Sequence, residues 1–196
     1  MCAQITVKPD ANAIAASAKA AAKGRGLPPV AKWNPPDMGK IDMRIAKDGT
    51  WYHEGTPINR PELVRLFSTI LRKDGDRFML VTPVEKVEIQ VEDAPFVAVD
   101  FDQSEADSEQ VLTFHTNVGD QAIAGPDHPI RVLRDPDSGE PSPYVLIRAE
   151  LEARIDRKSF YRLVDLGTHQ EYDGTDWFGI LSAGKFFPMI PSDQLP

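Results

Sequence analysis

Ile41, Met43 and Ile45 alternate with Asp42 and Arg44, the period of two of a half-buried strand. Lys47-Asp48-Gly49-Thr50 reads as a turn, and Trp51-Tyr52-His53 returns as the second strand of a hairpin. Past the turn at Glu54-Gly55-Thr56-Pro57 the period becomes helical. Leu63, Leu66, Phe67, Ile70 and Leu71 fall on one helical face. Asn59 is the expected N-cap, Pro61 stands in the first turn, and Glu62 follows the cap by three residues as in a capping box. Asp74-Gly75 closes this helix, and Arg77–Val81 reads as a strand.

The next region, from Val87 to Ala149, is a meander of strands. Val87, Ile89 and Val91 alternate with Glu88, Gln90 and Glu92. Phe96–Phe101, Val111–Asn117, Ile130–Leu133 and Tyr144–Ala149 are extended, with turns such as Gly125-Pro126-Asp127 and Asp135-Pro136-Asp137 between them. A second helix is predicted after Asp156, carrying Phe160, Leu163 and Val164 inward, and Gly167 closes it. Trp177–Leu181 and Phe186–Ile190 are apolar enough to pack back on the core.

The first 36 residues stand apart. They hold Lys8, Lys19, Lys23, Arg25 and Lys32 against Asp10 alone, a net +4, so the rest of the chain carries −12 of the total −8. Asp10 could cap a short alanine helix that Gly24 and Gly26 would end, and Leu27–Pro36 reads as extended. The expectation is a mobile basic tail over 1–36 that docks Trp33 on the body. A body of two subdomains, 37–83 and 84–196, follows.

The two helical stretches resemble each other. Ile58-Asn59-Arg60-Pro61-Glu62-Leu63-Val64-Arg65-Leu66-Phe67 lies over Ile155-Asp156-Arg157-Lys158-Ser159-Phe160-Tyr161-Arg162-Leu163-Val164. The isoleucine, both arginine positions and one leucine coincide, and Asp74-Gly75 then answers to Asp173-Gly174. The fold class expected is α+β, with two related subdomains arising from an internal duplication. A seam between related subdomains is a common place for a ligand.

The run Gly39–Ile58, followed by Arg60 and Leu63-Val64-Arg65-Leu66-Phe67, resembles a bacterial family of domains of unknown function. Val84-Glu85-Lys86-Val87 and His128-Pro129-Ile130-Arg131-Val132 fit the same family. The resemblance runs from about residue 37 to about residue 190. It implies a duplicated core and a C-terminal domain superficially like a pleckstrin-homology fold, a mostly antiparallel sheet or partial barrel with a helix. It also implies a nucleotide-type ligand at the domain interface and a role in signal transduction.

Composition narrows the function classes. The 196 residues are 41% hydrophobic and 27% charged, ordinary for a globular chain that builds its own core. The single cysteine, Cys2, excludes a disulfide framework within the chain. The net charge of −8 speaks against a nucleic-acid polymer as partner. No apolar run reaches a membrane span, and the start lacks the apolar core of a secretory signal, so the cytoplasm is the expected location.

Catalytic motifs are lacking. There is no Gly-x-Ser-x-Gly elbow and no phosphate-binding loop, and Gly24-Arg25-Gly26 follows no strand. His53, His115, His128 and His169 are not spaced as paired metal ligands. Nine carboxylates between Glu85 and Glu109 could hold Mg²⁺ or Ca²⁺, but their alternation with Val87, Ile89 and Val91 suits a solvated strand face better.

Arg60 and Arg157 are the better signal. Each is expected just after an N-cap, where a cation opposes the helix dipole unless an anion answers it. Arg44, Arg131 and Arg148 lie on expected strands and could join such a site. Trp51 and His53, on the hairpin before the first helix, could stack a base. The sequence therefore predicts a non-enzymatic protein that binds a nucleotide-like or other anionic small molecule through Arg60, Arg157, His53, Trp51 and Arg44. It needs no cofactor or metal, and it passes the signal to a protein partner. The alternatives are an interaction module without a small ligand and a hydrolase using carboxylates with His53.

Overall fold

The computed structural model describes residues 9–22 and 26–195. The chain divides into two compact units, Met1–Asp93 and Ala94–Pro196. Both are α+β, mostly strand, with three α-helices among the described residues.

In the first unit, α1 (Ala11–Ala21) is followed by a short 3-10 turn at Val30–Lys32 and by β1 (Asp37–Ile45). Then come β2 (Trp51–His53), β3 (Thr56–Pro57), α2 (Pro61–Thr69), β4 (Leu71–Asp74), β5 (Arg77–Val81) and β6 (Lys86–Val91). The strands form one sheet in the order β3-β2-β1-β6-β5-β4. The expected hairpin is present, with Met43 opposite His53 and Ile45 opposite Trp51. β1 and β6 run parallel, so the chain must cross over between them. α2 and the β4–β5 hairpin make that crossing. Because β6 joins this sheet, the boundary expected at residue 84 moves to Asp93/Ala94.

Met43, Ile45, Trp51, Phe67, Ile70, Met79, Leu80 and Val87 are buried at the centre of the unit. Burying each such side chain is worth roughly 1.5–3 kcal/mol. The Trp51 and Phe67 rings stack with centroids 6.2 Å apart. The basic segment is not the mobile tail expected from its composition. Ile14 and Ala18 of α1 are completely buried, and α1 packs against α2. Asp10 caps α1 as expected, its carboxylate accepting from the Asn12 N–H at 3.1 Å. Lys8, Lys23 and Arg25, like Cys2 and Gly24, lie outside the described residues.

Two features of α2 differ from expectation. The N-cap is Arg60, not Asn59, and no side chain caps the helix, so the capping box is not formed. Pro61 takes the first helical position, which forces the cap onto the residue before it. The helix also stops at Thr69, and Leu71 opens β4 instead of extending the helical face. Ser68 and Thr69 turn their hydroxyls back to the carbonyls of Arg65 (2.7 Å) and Leu66 (2.6 Å). Such back-bonding competes with further helix.

The second unit begins with β7 (Phe96–Ala106), β8 (Glu109–Thr116) and β9 (Gln121–Ile123). β10 (Ile130–Arg134), β11 (Pro141–Arg148) and β12 (Leu151–Ile155) follow. α3 (Arg157–Asp165) leads into β13 (Thr168–Tyr172), β14 (Thr175–Ser182) and β15 (Lys185–Pro191). One sheet has the order β10-β11-β12-β7-β8-β9, and a second has β13-β14-β15. The only parallel pair in this unit's described strands is β12 with β7. α3 is capped by Asp156, which accepts from the Ser159 N–H at 2.7 Å. It buries Ser159 and Leu163, leaves Phe160 half-buried and exposes Val164, so its inward face is turned from the one expected.

Each unit thus holds a nine-residue helix followed by a hairpin with a two-residue turn. The turns are Gly75-Asp76 in one and Asp173-Gly174 in the other. Pro61 and Arg157 occupy the first helical positions, so Arg60 corresponds in position to Asp156 and the expected alignment is out by one residue.

Candidate functional site

A cleft of about 350 Å³ opens in the first unit where the starts of α1 and α2 approach β2 and β3. Its polar lining comes from Asn12, His53, Thr56, Asn59 and Arg60, and its floor from Ile58, Leu63 and Phe67. The hairpin places His53 at the end of β2. The chain then turns through β3, and the Ile58 N–H donates to the Trp51 carbonyl at 2.8 Å. That bond fixes the approach to α2 and so sets Arg60 beside His53.

The electrostatics of the cleft follow from the caps. The α1 start is already answered by the Asp10 carboxylate. The α2 start has no side-chain cap, so its first backbone N–H groups have no capping acceptor, and Glu62 is the acidic residue of its first turn. Arg60 adds a full charge there, and among the described residues neither Arg60 nor His53 has a side-chain hydrogen bond or ion pair. Two donors and an uncapped helix end in a concave, part-apolar site match the composition of small-molecule pockets, at the small end of their range of roughly 300–1,000 Å³.

The other expected site residues lie elsewhere. Trp51 is 1% exposed and stacked on Phe67, so it is core and presents no face to a ligand. Trp51 and His53 stand two apart on β2 and so share a face of the strand. They differ in depth, Trp51 being packed on Phe67 in the core while His53 lies half-buried at the cleft. Arg44 is committed to the Glu92 carboxylate and lies over the Tyr52 ring at 4.3 Å. Glu92 also accepts from the Lys47 N–H at 3.1 Å, so this pair ties β1 to the end of β6. Arg157 belongs to the second unit. Its guanidinium donates to the Tyr161 hydroxyl at 3.0 and 3.1 Å, a bond that raises its pKa. Arg131 forms a two-pronged pair with Glu152, and Arg148 pairs with Asp120 over the Phe96 ring. Asn12, far away in sequence, was not readable as a wall of this cleft, because only the docking of α1 brings it there.

The acidic run is largely engaged. Glu88 meets Lys40 at 2.9 Å and Arg77 at 3.5 Å, Asp100 pairs with Arg162, and Asp102 lies 2.7 Å from His115. No group of three or more potential metal ligands gathers among the described residues. In the second unit Ser192, His169 and Asp176 are neighbours, yet they do not form a catalytic triad. Ser192 Oγ (2.8 Å) and Asp176 (3.7 Å) both face the same ring nitrogen, Nδ1, whereas a triad needs one on each. No helix of the described residues is long and apolar enough to cross a membrane.

Comparison with known proteins places this architecture. The model of the N-terminal domain of DUF1285, a domain of unknown function, matches residues 28–94, and that of the C-terminal domain matches 95–189. A crystal structure of a DUF1285 family protein from Silicibacter pomeroyi DSS-3 is similar at 60% identity and a TM-score of 0.82. The match covers 92% of this chain and 96% of that one. A DUF1285 family protein from Shewanella baltica OS155 is similar at 29% identity and a TM-score of 0.51, covering 64% of this chain and 91% of that one. No match to a curated protein is found. The domain junction, the two matched halves and the 60% identical relative agree, and the chain belongs to the DUF1285 family.

Proposed function

We propose that this protein is a regulatory ligand-binding protein, and that a nucleotide-like or other phosphorylated small molecule occupies the cleft at the start of α2. The observation that carries this reading is the pair His53 and Arg60. They line one cleft beside an uncapped helix N-terminus, and neither has a described protein partner. A phosphate placed there gains a guanidinium fork, the α2 backbone donors and a ring N–H of His53. Leu63, Phe67 and Ile58 offer an apolar surface for a base or ring. The reading takes the two units as products of one duplication, supported by the shared helix-and-hairpin order. It takes the second as a pleckstrin-homology-like signalling module, supported by its antiparallel strands and single helix. The bound state of the first unit would then be passed on in signal transduction.

Thermal-shift titration with inorganic phosphate and with nucleoside mono-, di- and triphosphates tests the reading, since a ligand of the native state stabilises it by RT ln(1 + [L]/Kd). At least one member of the panel is expected to raise Tm. Arg60→Ala should weaken its binding by roughly tenfold or more, the scale of a charge-assisted hydrogen bond. Arg157→Ala should leave binding unchanged. A panel without any shift, or a shift that Arg60→Ala preserves, overturns the proposal.

A further inference from the structure

A sheet edge is a row of unpaired N–H and C=O groups, and folded proteins blunt such edges by shortness, proline, bulges or cover. The described sheets have six edge strands. β3 is two residues long and contains Pro57, and β9 is three residues long. β4 is covered by the turn at Val30–Lys32, whose Val30 carbonyl is held by Arg72. β10 and β15 pack beside each other. β13 has none of these protections. Its five residues, Thr168-His169-Gln170-Glu171-Tyr172, are all exposed, contain no proline and pair with β14 in unbroken register.

We propose that β13 is a self-association edge, on which a second copy of this chain adds its own β13 antiparallel about a two-fold axis through Gln170. The occupant follows from the register. Tyr172 and Thr175 flank a two-residue turn and therefore form a hydrogen-bonded pair, as do Gln170 with Trp177 and Thr168 with Gly179. The backbone groups of His169 and Glu171 consequently point outward. An antiparallel copy centred on Gln170 sets each His169 opposite the Glu171 of its partner, so all four outward-pointing N–H and C=O pairs are satisfied at once. The same register is complementary in side chains. It makes two His–Glu cross-strand pairs, where a shift of two residues would leave one edge residue of each copy unmatched. When His169 Nδ1 accepts from the Ser192 hydroxyl, its ring proton lies on Nε2, free to donate to the partner carboxylate. The result is a six-stranded sheet, β15-β14-β13 continued into its copy. A five-residue seam is smaller than the roughly 800 Å² per partner of a standard interface, so association is weak and appears at high concentration.

Sedimentation equilibrium of the full chain over a wide concentration range reads this directly, with a monomer–dimer equilibrium expected. Glu171→Pro removes an outward donor that the hairpin does not use, and it should give a monomer with Tm retained. Should that variant fail to fold, Glu171→Lys should weaken dimerisation by about threefold or more, because the symmetric seam repeats the lost pair twice. The exchanged variant His169→Glu with Glu171→His should recover it. In a Cys2→Ser background, Gln170→Cys should form an intermolecular disulfide under mild oxidation, since axial non-hydrogen-bonded residues lie about 4.5–5.5 Å apart, and Thr168→Cys should not. A monomer at every concentration, or a dimer indifferent to Glu171→Lys and unlinked by Gln170→Cys, overturns the proposal. Ligand binding at Arg60 is read separately and is untouched by either result.

Discussion

Arg72 and Asp74 form a fork-to-fork ion pair two residues apart on β4, with Nε donating to Oδ1 at 2.6 Å and Nη2 to Oδ2 at 2.9 Å. Alternate residues of a strand share a face, which is what lets so short a separation close. The remaining guanidinium nitrogen, Nη1, donates to the Val30 carbonyl at 2.8 Å and the Trp33 carbonyl at 2.7 Å. Lys86 of β6 lies 2.9 Å from Asp74 Oδ2. One carboxylate therefore organises the sheet edge, and one guanidinium fastens the N-terminal segment to it.

The pair makes stability depend on acid. The hydrogen bonds from Arg72, with Lys86 assisting, lower the Asp74 pKa from 3.8 to about 2. A depressed carboxylate pKa contributes stability that is fully present above the unfolded value and is lost as pH falls through the folded one. The contribution is about 2 kcal/mol, since each tenfold change in proton affinity corresponds to about 1.4 kcal/mol. Urea denaturation between pH 5 and pH 2 should show this loss below about pH 4 in the parent protein. In Asp74→Asn the same step should be missing, with lower stability at neutral pH.

Arg72→Ala should be the more damaging change. It strips two bonds from Asp74, takes the guanidinium donor from the Trp33 carbonyl, and leaves the Val30 carbonyl only the Trp33 N–H at 3.3 Å. A loss of about 2–3 kcal/mol is expected, the upper part of the range for a hydrogen-bonded charge. Limited proteolysis should then cut faster between residues 26 and 36. Unchanged cleavage with lowered stability would show that Arg72 acts on the sheet edge alone.

The N-terminal helix carries a measurable share of stability. Ile14 and Ala18 are fully buried against the body, unlike the side chains of a tail. Ile14→Ala removes buried methyl groups and leaves a cavity, a change expected to cost about 2 kcal/mol or more. Deleting residues 1–22 should exceed the ~0.5 kcal/mol of an indifferent surface change. It should also open the cleft wall that Asn12 provides. Chemical denaturation of both variants checks the order, with the deletion at least as destabilising as Ile14→Ala.

Strands that show one apolar face were legible. Ile41, Met43 and Ile45 of β1, and Val87 and Ile89 of β6, are buried as their alternation requires. What alternation does not tell is which strand lies beside which, so the parallel pairing of β6 with β1 and of β12 with β7 came only from the folded chain. β4 was hidden because Leu71 also fits the helical period of α2. The alanine-rich α1 was misjudged for a related reason. Its one large apolar residue, Ile14, gives a faint pattern, and its docking depends on a surface of α2 that lies much later in sequence. At the site, Arg60 and His53 were visible as chemistry, whereas the burial of Trp51 was not, because a single aromatic on a short strand reads equally as platform or core.

Two glycines in the second unit are required by close approach. A Cβ on Gly167 would lie 2.0 Å from the Phe178 ring, and one on Gly179 would lie 2.3 Å from the Phe187 carbonyl oxygen. Gly179 sits at the register shift between β14 and β15, where the strands come together irregularly. Backbone cannot retreat as a flexible side chain can, so Gly179→Ala is expected to be the costlier, by more than about 2 kcal/mol. Phe178 can shift more readily, and Gly167→Ala should lose about 1–3 kcal/mol. Paired thermal melts rank the two, and a milder Gly179→Ala would mean that β15 yields more easily than the packing of Phe186 and Phe187 implies.

Ser182 is the polar counterpart of these contacts. It is completely buried, and its hydroxyl both accepts from the Leu112 N–H at 3.0 Å and donates to the Ala124 carbonyl at 2.8 Å. One side chain at the end of β14 therefore satisfies a main-chain N–H within β8 and a carbonyl just past β9, joining the two sheets of the second unit. An alanine there removes little volume but leaves a buried donor and a carbonyl that has lost a bond. Each orphaned group costs about 1–3 kcal/mol. Ser182→Ala should therefore destabilise by about 2–4 kcal/mol, well beyond the loss of one hydroxyl. Ser182→Thr keeps both bonds and adds a methyl group, so its cost reports packing alone. Equilibrium denaturation of the pair separates the two effects. A Ser182→Ala variant within ~0.5 kcal/mol of the parent would mean that water replaces the hydroxyl and the sheet junction is open to solvent.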